Sequence, residues 1–172
     1  MKLQTAAQQQ LAGSHGAFRF MLNDIEPALL NETLPGAAIG SIASIYAHLV
    51  FAEDVFVHTR FQEREPLYLA GGWEAKTGVP FPGIPPAITP EWAAALRMDL
   101  ATFQPYADTV FADTEAFVAN LPDAELDRTI KGATGEYTIG WGIAIIIVQH
   151  AAQHSGEIAA LKGVHGLKGL PF

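Results

Sequence analysis

The chain has no cysteine among its 172 residues. Disulfides, thiolate metal ligands and a cysteine nucleophile are thereby excluded, and the absence is the pattern expected of a soluble, cytoplasmic protein. Charge is also sparse. Only 16% of residues are charged, and the 10 Lys and Arg are outnumbered by 18 Asp and Glu, giving a formal net charge of −8. No basic cluster appears, so neither nucleic acid nor an anionic membrane surface is an expected partner. The longest apolar run, Ile139 to Val148, falls short of the roughly 20 residues a membrane span needs. The opening "MKLQTAAQQQLAG" carries one Lys and no apolar stretch of the kind that marks a signal peptide.

What is present is apolar residues, 49% of the total, in a chain long enough to bury most of its apolar surface as one domain over residues 1–172. The periodicity is helical, with almost no strand signal. Phe18, Met21, Leu22, Ile25 and Leu29 share a face at three- and four-residue steps. They predict a first helix from near Leu3, bent or interrupted by Gly13, Gly16 and Pro27. A second helix is predicted over roughly 40–64, with Ser41 as N-cap and a stripe of Ile42, Ile45, Leu49, Ala52 and Phe56. A third runs from about Pro90, behind Thr89, to Asn120 with a kink at Pro105. The fourth runs from about Thr138 to Lys162, closed by Gly163.

Four such segments predict an all-α four-helix bundle. Helices 2 and 3 are separated by "PLYLAGGWEAKTGVPFPGIPPAIT". A structureless loop of that length is uncommon without a job. Here the job is a crossover along the bundle, which makes helices 2 and 3 parallel, and the loop is long enough to cover a site.

The stretch "HAAQHSGEI" follows the aliphatic run "IAIIIVQ" directly. Burying an unpartnered polar group costs roughly 2–7 kcal/mol, so a metal, a side chain or water must satisfy these imidazoles. His150 and His154 are four apart and fall on one helix face. The HExxH motif is absent, because Ala151 stands where its Glu would be. His48 lies between Ile45 and Ala52 on the stripe of helix 2, about eight residues in. His154 is about nine residues from the end of helix 4. Were those helices antiparallel, the three imidazoles would match in height to about one or two Å at 1.5 Å per residue. Three imidazoles without a fourth protein ligand describe an open, catalytic-type metal site. The competing reading makes each a core histidine bonded to a carbonyl or carboxylate.

The other histidines do not join them. His15, His58 (turned about 80° from His48) and His165 are read as surface residues. Glu157, seven residues after His150, and Glu53, five after His48, are the candidate catalytic carboxylates, able to orient an imidazole or move a proton. The plainer reading of both is ordinary surface charge. Trp141 and Tyr46 are read as core. Trp73 is either a lid aromatic or a loop anchor.

With these residues in view, the chain resembles the DinB-like superfamily of helical bundles, which includes the bacillithiol transferases and thiol-dependent enzymes related to mycothiol-dependent maleylpyruvate isomerase. The carrying features are the His and following Glu of "SIASIYAHLVFAED", the H-x3-H-x-G-[QE]-I pattern of "HAAQHSGEI", and the ending "ALKGVHGLKGLPF". The resemblance is strong over 41–56 and 138–163 and faint in helices 1 and 3. It implies an up-down-down-up bundle, a homodimer, and a divalent metal (nickel, zinc or iron) held by His48, His150 and His154. Ser155 and Glu157 replace the Arg and Gln often found around the last His, and neither change touches a ligand.

The leading functional expectation is a metal-dependent enzyme that transfers or isomerises a small-molecule substrate through a low-molecular-weight thiol. A metal with open positions lowers the pKa of a bound thiol from its usual value of about 8.5. Lacking cysteine, the chain must take that thiol from outside, as mycothiol, bacillithiol or glutathione. No Arg pair suited to a carboxylate substrate is evident, so maleylpyruvate itself is not supported. The alternatives are a metal-dependent hydrolase, with Glu157 as base, and a non-catalytic bundle that binds a metal or small molecule.

Overall fold

A computed structural model describes residues 3–23, 25–132 and 135–171. Met1 and Lys2 of the opening segment and Phe172 of the closing one lie outside the described residues. The chain is mostly helical. Helix α1 (Leu3–Leu22) is followed by a single turn, α2 (Pro27–Leu30), and by α3 (Ile42–Asp54), which runs directly into a π-helical stretch, Val55–Phe61. Two short helices, α4 (Leu67–Ala70) and α5 (Trp73–Thr77), precede α6 (Pro90–Ala95), α7 (Leu100–Asn120) and α8 (Asp123–Leu126). The last helical segment is continuous: α9 (Ile139–Gly142), a second π-helical stretch (Ile143–Gln149) and α10 (His150–Val164).

Helix α3 begins where Ser41 accepts a hydrogen bond from the Ser44 backbone N–H at 3.2 Å, satisfying a donor the first turn leaves free. It is buried all round, and His48 is its only residue not fully buried. Around it, Phe18, Phe51, Phe103 and Tyr106 pack as edge-to-face or tilted rings with Tyr46 and Tyr68. A second apolar cluster joins the two π-helical stretches through Val57, Phe61, Ile143 and Ile147.

Ordered contacts tie the long helices together. Along α1 and α7, Gln4 bonds the Val118 carbonyl, His15 bonds Glu115, and Arg19 bonds Asp108. Along α3 and α7, Tyr46 bonds Gln104, Tyr106 bonds Asp54, and His58 bonds Asp113. Between α3 and the last helix, the Phe61 ring lies against Gly142 and His48 against His150. Lys162 Nζ donates to the Met21 carbonyl, joining α10 to α1.

Several sequence expectations are corrected. Helix α1 runs through Gly13 and Gly16 without a break. The single helix predicted over 90–120 is two, because Asp99 caps α7 by accepting from Ala101 N–H at 2.9 Å. Asn31 reinforces the break, pairing its side chain with both the N–H and the carbonyl of Met98. The loop between the second and third long helices is not structureless, since α4, α5 and α6 lie within or beside it. A small antiparallel hairpin, β1 (Thr129–Lys131) and β2 (Glu136–Thr138), carries no signal in the sequence pattern. The last helix ends one residue beyond Gly163. Gly166 at φ +72° supplies the left-handed residue while Leu167 and Gly166 N–H bond the Lys162 and Gly163 carbonyls. Trp141 is 49% exposed rather than core. Trp73 is an anchor, its ring 5.7 Å from that of Tyr106.

Candidate metal centre

The regular turns of α3 and α10 bring three imidazoles together. His48 Nε2 lies 3.1 Å from His150 Nε2, and His154 Nε2 lies 2.9 Å from the same atom. His150 and His154 are a turn apart on α10, as their spacing predicts. His48 arrives from a position 102 residues away in sequence. One ligand atom from each falls within 4.8 Å of the other two.

The electrostatics keep His48 and His150 neutral. His48 is pushed down to about 4, first by burial and then by the neighbouring His154, with the Pro86 backbone and Glu157 opposing weakly. His150 is pushed down to about 3 by burial, then by His154 and His48. Both therefore offer lone pairs at neutral pH. His154 Nδ1 lies 2.6 Å from Glu157 Oε2. A carboxylate only accepts, so Nδ1 donates to it and Nε2 is the atom that faces the trio.

These residues fit a divalent cation. With His154 Nε2 an acceptor, a proton on His150 Nε2 can bridge only one of the two short separations. The third nitrogen is then left without a hydrogen bond of its own. A cation between the three nitrogens would satisfy all of them. Separations of 3.1 and 2.9 Å are short enough for the donors to share one ion about 2.0–2.1 Å away. Imidazole accommodates zinc, nickel, copper and iron alike.

Beside the trio is a cavity of about 340 Å³, lined in part by His48, His150, Pro85, Pro86, Ile145 and Ile146. Pro85 and Pro86 come from the segment between α5 and α6, so that segment does reach the site. The length of the loop allowed for this, but an irregular segment has no period from which to read which residues face the site.

Glu53 is placed elsewhere. It is 3% exposed, and its carboxylate faces His15 Nε2 at 3.2 Å, not the trio. His15 is fully buried, stacked on Phe111 with ring centroids 4.0 Å apart and bonded through Nδ1 to Glu115 at 2.7 Å. His58 is also fully buried, with Nδ1 2.7 Å from Asp54 and Nε2 2.7 Å from Asp113. The surface reading of both is thus corrected. Asp54 and His58 are four residues apart, the one signal that could have paired them in advance. His165 is exposed, as its position after the helix end predicts.

A helical protein with a histidine trio open to a cavity is the class these features define. The sequence profile of the DinB superfamily matches residues 7–158, and the chain belongs to that superfamily. Its fold is similar to that in the crystal structure of the conserved protein of locus from Enterococcus faecalis. The TM-score is 0.83 at 22% identity, over 96% of this chain and 99% of that one. No curated protein matches the sequence. Among the described residues no helix is long and apolar enough to cross a membrane.

Proposed function

We propose that the chain is a single-domain, metal-dependent enzyme that acts on a small molecule through an external low-molecular-weight thiol, with His48, His150 and His154 as the metal ligands. The observation that carries this reading is the convergence of three imidazole nitrogens from two helices at the mouth of a cavity. A bound divalent metal with a free coordination position would lower the pKa of a thiol and so supply a thiolate at neutral pH. The chain's own part is to hold the site in shape. Glu157 fixes the proton on His154 Nδ1, burial keeps His48 and His150 unprotonated, and Pro85 and Pro86 wall the cavity. Lacking cysteine, the chain leaves the thiol to a cofactor such as glutathione, bacillithiol or mycothiol. Hydrolysis is disfavoured, because Glu157, the carboxylate in contact with the trio, is committed to His154.

The same reading takes the long helices as an up-down-down-up bundle with a crossover between the second and third. Its support is the order of the contacts: residue numbers rise together along α3 and α7, and in opposite senses along α1 and α7.

The test is elemental analysis of the purified protein beside a His48→Ala, His154→Ala variant, followed by turnover of a model electrophile such as 1-chloro-2,4-dinitrobenzene. Near-stoichiometric metal in the wild type, lost in the variant, with turnover only when thiol is added, is the expected result. A wild type that stays metal-free after incubation with zinc and nickel would overturn it.

A further inference from the structure

We infer that the cavity beside the histidine trio is the subsite for the apolar body of the substrate. The protein then takes small molecules built on a single ring or short branched chain, with the reactive end against His48 and His150, and Phe56, Ile145 and Ile146 set that preference. This rests on the reading of the trio as the reaction centre, and it adds the substrate class.

Two of the three imidazoles belong to the cavity wall. His48 and His150 line it, while their Nε2 atoms stand 3.1 Å apart in the trio. A molecule seated in the cavity therefore has one end at these rings and at an ion they hold. No other titratable side chain is among the described residues lining the cavity. The charge of that end is a matter for the trio, and the rest of the wall reads the body.

That remainder is mainly apolar and comes from three parts of the chain. Ala52 and Phe56 approach from α3 and its π-helical continuation, Ile145 and Ile146 from the π-helical stretch of the last helix, and Pro85 and Pro86 from the segment between α5 and α6. Pro86 is buried, so this segment is packed down on the site. Ile145 is 37% exposed although aliphatic, and Phe56 and Ile146 are half-buried. An apolar group laid against them removes this surface from water, which is the source of affinity in such a place. A volume of about 340 Å³ is at the small end of ligand cavities, which run from about 300 to 1,000 Å³. It suits one ring and not an extended molecule. Gln149 and Gln153 are both exposed and four residues apart, on one side of the helix, where their amides offer donors and acceptors to a polar substituent.

The test compares benzohydroxamic and acetohydroxamic acids, which share a metal-binding head and differ in the body. Binding is followed by NMR titration of the zinc-incubated protein, and of the protein stripped with EDTA and dialysed. The phenyl compound is expected to bind the zinc-incubated protein about ten-fold tighter or more, since its ring has far more apolar surface to bury than a methyl group. Stripping is expected to weaken both and keep their order. Ile145→Ser, at an exposed position where folding is not at stake, is expected to cut the phenyl preference several-fold, and Ile145→Leu to keep it. Equal binding of the two compounds, saturable binding of neither, or a preference unchanged in Ile145→Ser would overturn the inference. Zinc content is measured on the same samples. Zinc held by the trio with both compounds bound equally would refute the apolar subsite and leave the centre standing. A phenyl preference that depends on Ile145, in a protein that takes up no zinc, would refute the centre instead.

Discussion

His154 and Glu157 are one turn apart on α10, with Nδ1 and Oε2 separated by 2.6 Å. The contact sets the tautomer of a ring whose other nitrogen faces the trio. Replacing the acceptor with an amide leaves the helix intact, because Glu157 is 44% exposed. It also removes the charge that makes the ring a better donor to a metal. Glu157→Gln is expected to weaken metal retention by about 10- to 100-fold, read by competition against a chelator. Unchanged retention would show that the contact does not tune the centre.

Asp54 is fully buried and accepts four hydrogen bonds: from His58 Nδ1, from Leu67 and Tyr68 N–H, and from the Tyr106 hydroxyl. It thereby fastens the start of α4 and the middle of α7 to the end of α3. Breaking such a buried pair leaves charge and donors unmatched, at a cost of about 3–5 kcal/mol. Asp54→Asn is expected to lower the free energy of unfolding by that amount in urea titrations. A loss under about 1 kcal/mol would mean that the amide satisfies the same donors.

The two buried bridging histidines give stability a sign with pH. Burial alone would lower His15, but its bonds to Glu53 and Glu115 raise it above its usual value. His58 is raised in the same way by Asp54 and Asp113. A group with a raised folded pKa binds more protons in the folded state, so its contribution is complete below about 6.5 and fades as pH climbs through the folded value. Unfolding free energy should therefore fall as pH rises above about 6.5. A His15→Gln, His58→Gln variant should show a flatter profile there. Parallel profiles would remove these residues from the account.

Of this, the sequence carried the trio but not its surroundings. His48 lies in α3 before its π-helical stretch and His150 and His154 lie after theirs, so ordinary helical spacing applied to each. The stretch between does not obey it. Ile139, Ile143, Ile147 and Ala151 are all buried at strict four-residue steps. In a regular α-helix each such step overshoots a full turn by about 40°. The wider turn of the π stretch absorbs the overshoot. His58 was misread because the second helix was expected to have a solvent side and α3 is buried all round, and His15 because it lies near the start of the chain, where no spacing shows the Glu53 and Glu115 carboxylates that hold it. Pro85 and Pro86 reach the cavity through an irregular path that no periodicity describes.

Gly142 shows how close the two π-helical stretches come. A Cβ there would sit 2.8 Å from Phe61 Cζ and 3.1 Å from Tyr137 Cε2. Overpacking of this kind costs typically 1–3 kcal/mol. Gly142→Ala is expected to destabilise by about that much in thermal or urea unfolding, although alanine is the better helix former. A gain in stability would show that the Phe61 ring has room to turn aside.

The separation of the trio along the chain has a consequence for biosynthesis. A growing polypeptide that has not yet reached residue 150 has only one of the three imidazoles to present, with the partners still unmade. The set comes into being when the final helix docks against α3. An ion held by all three nitrogens therefore requires a chain whose final helix is already made.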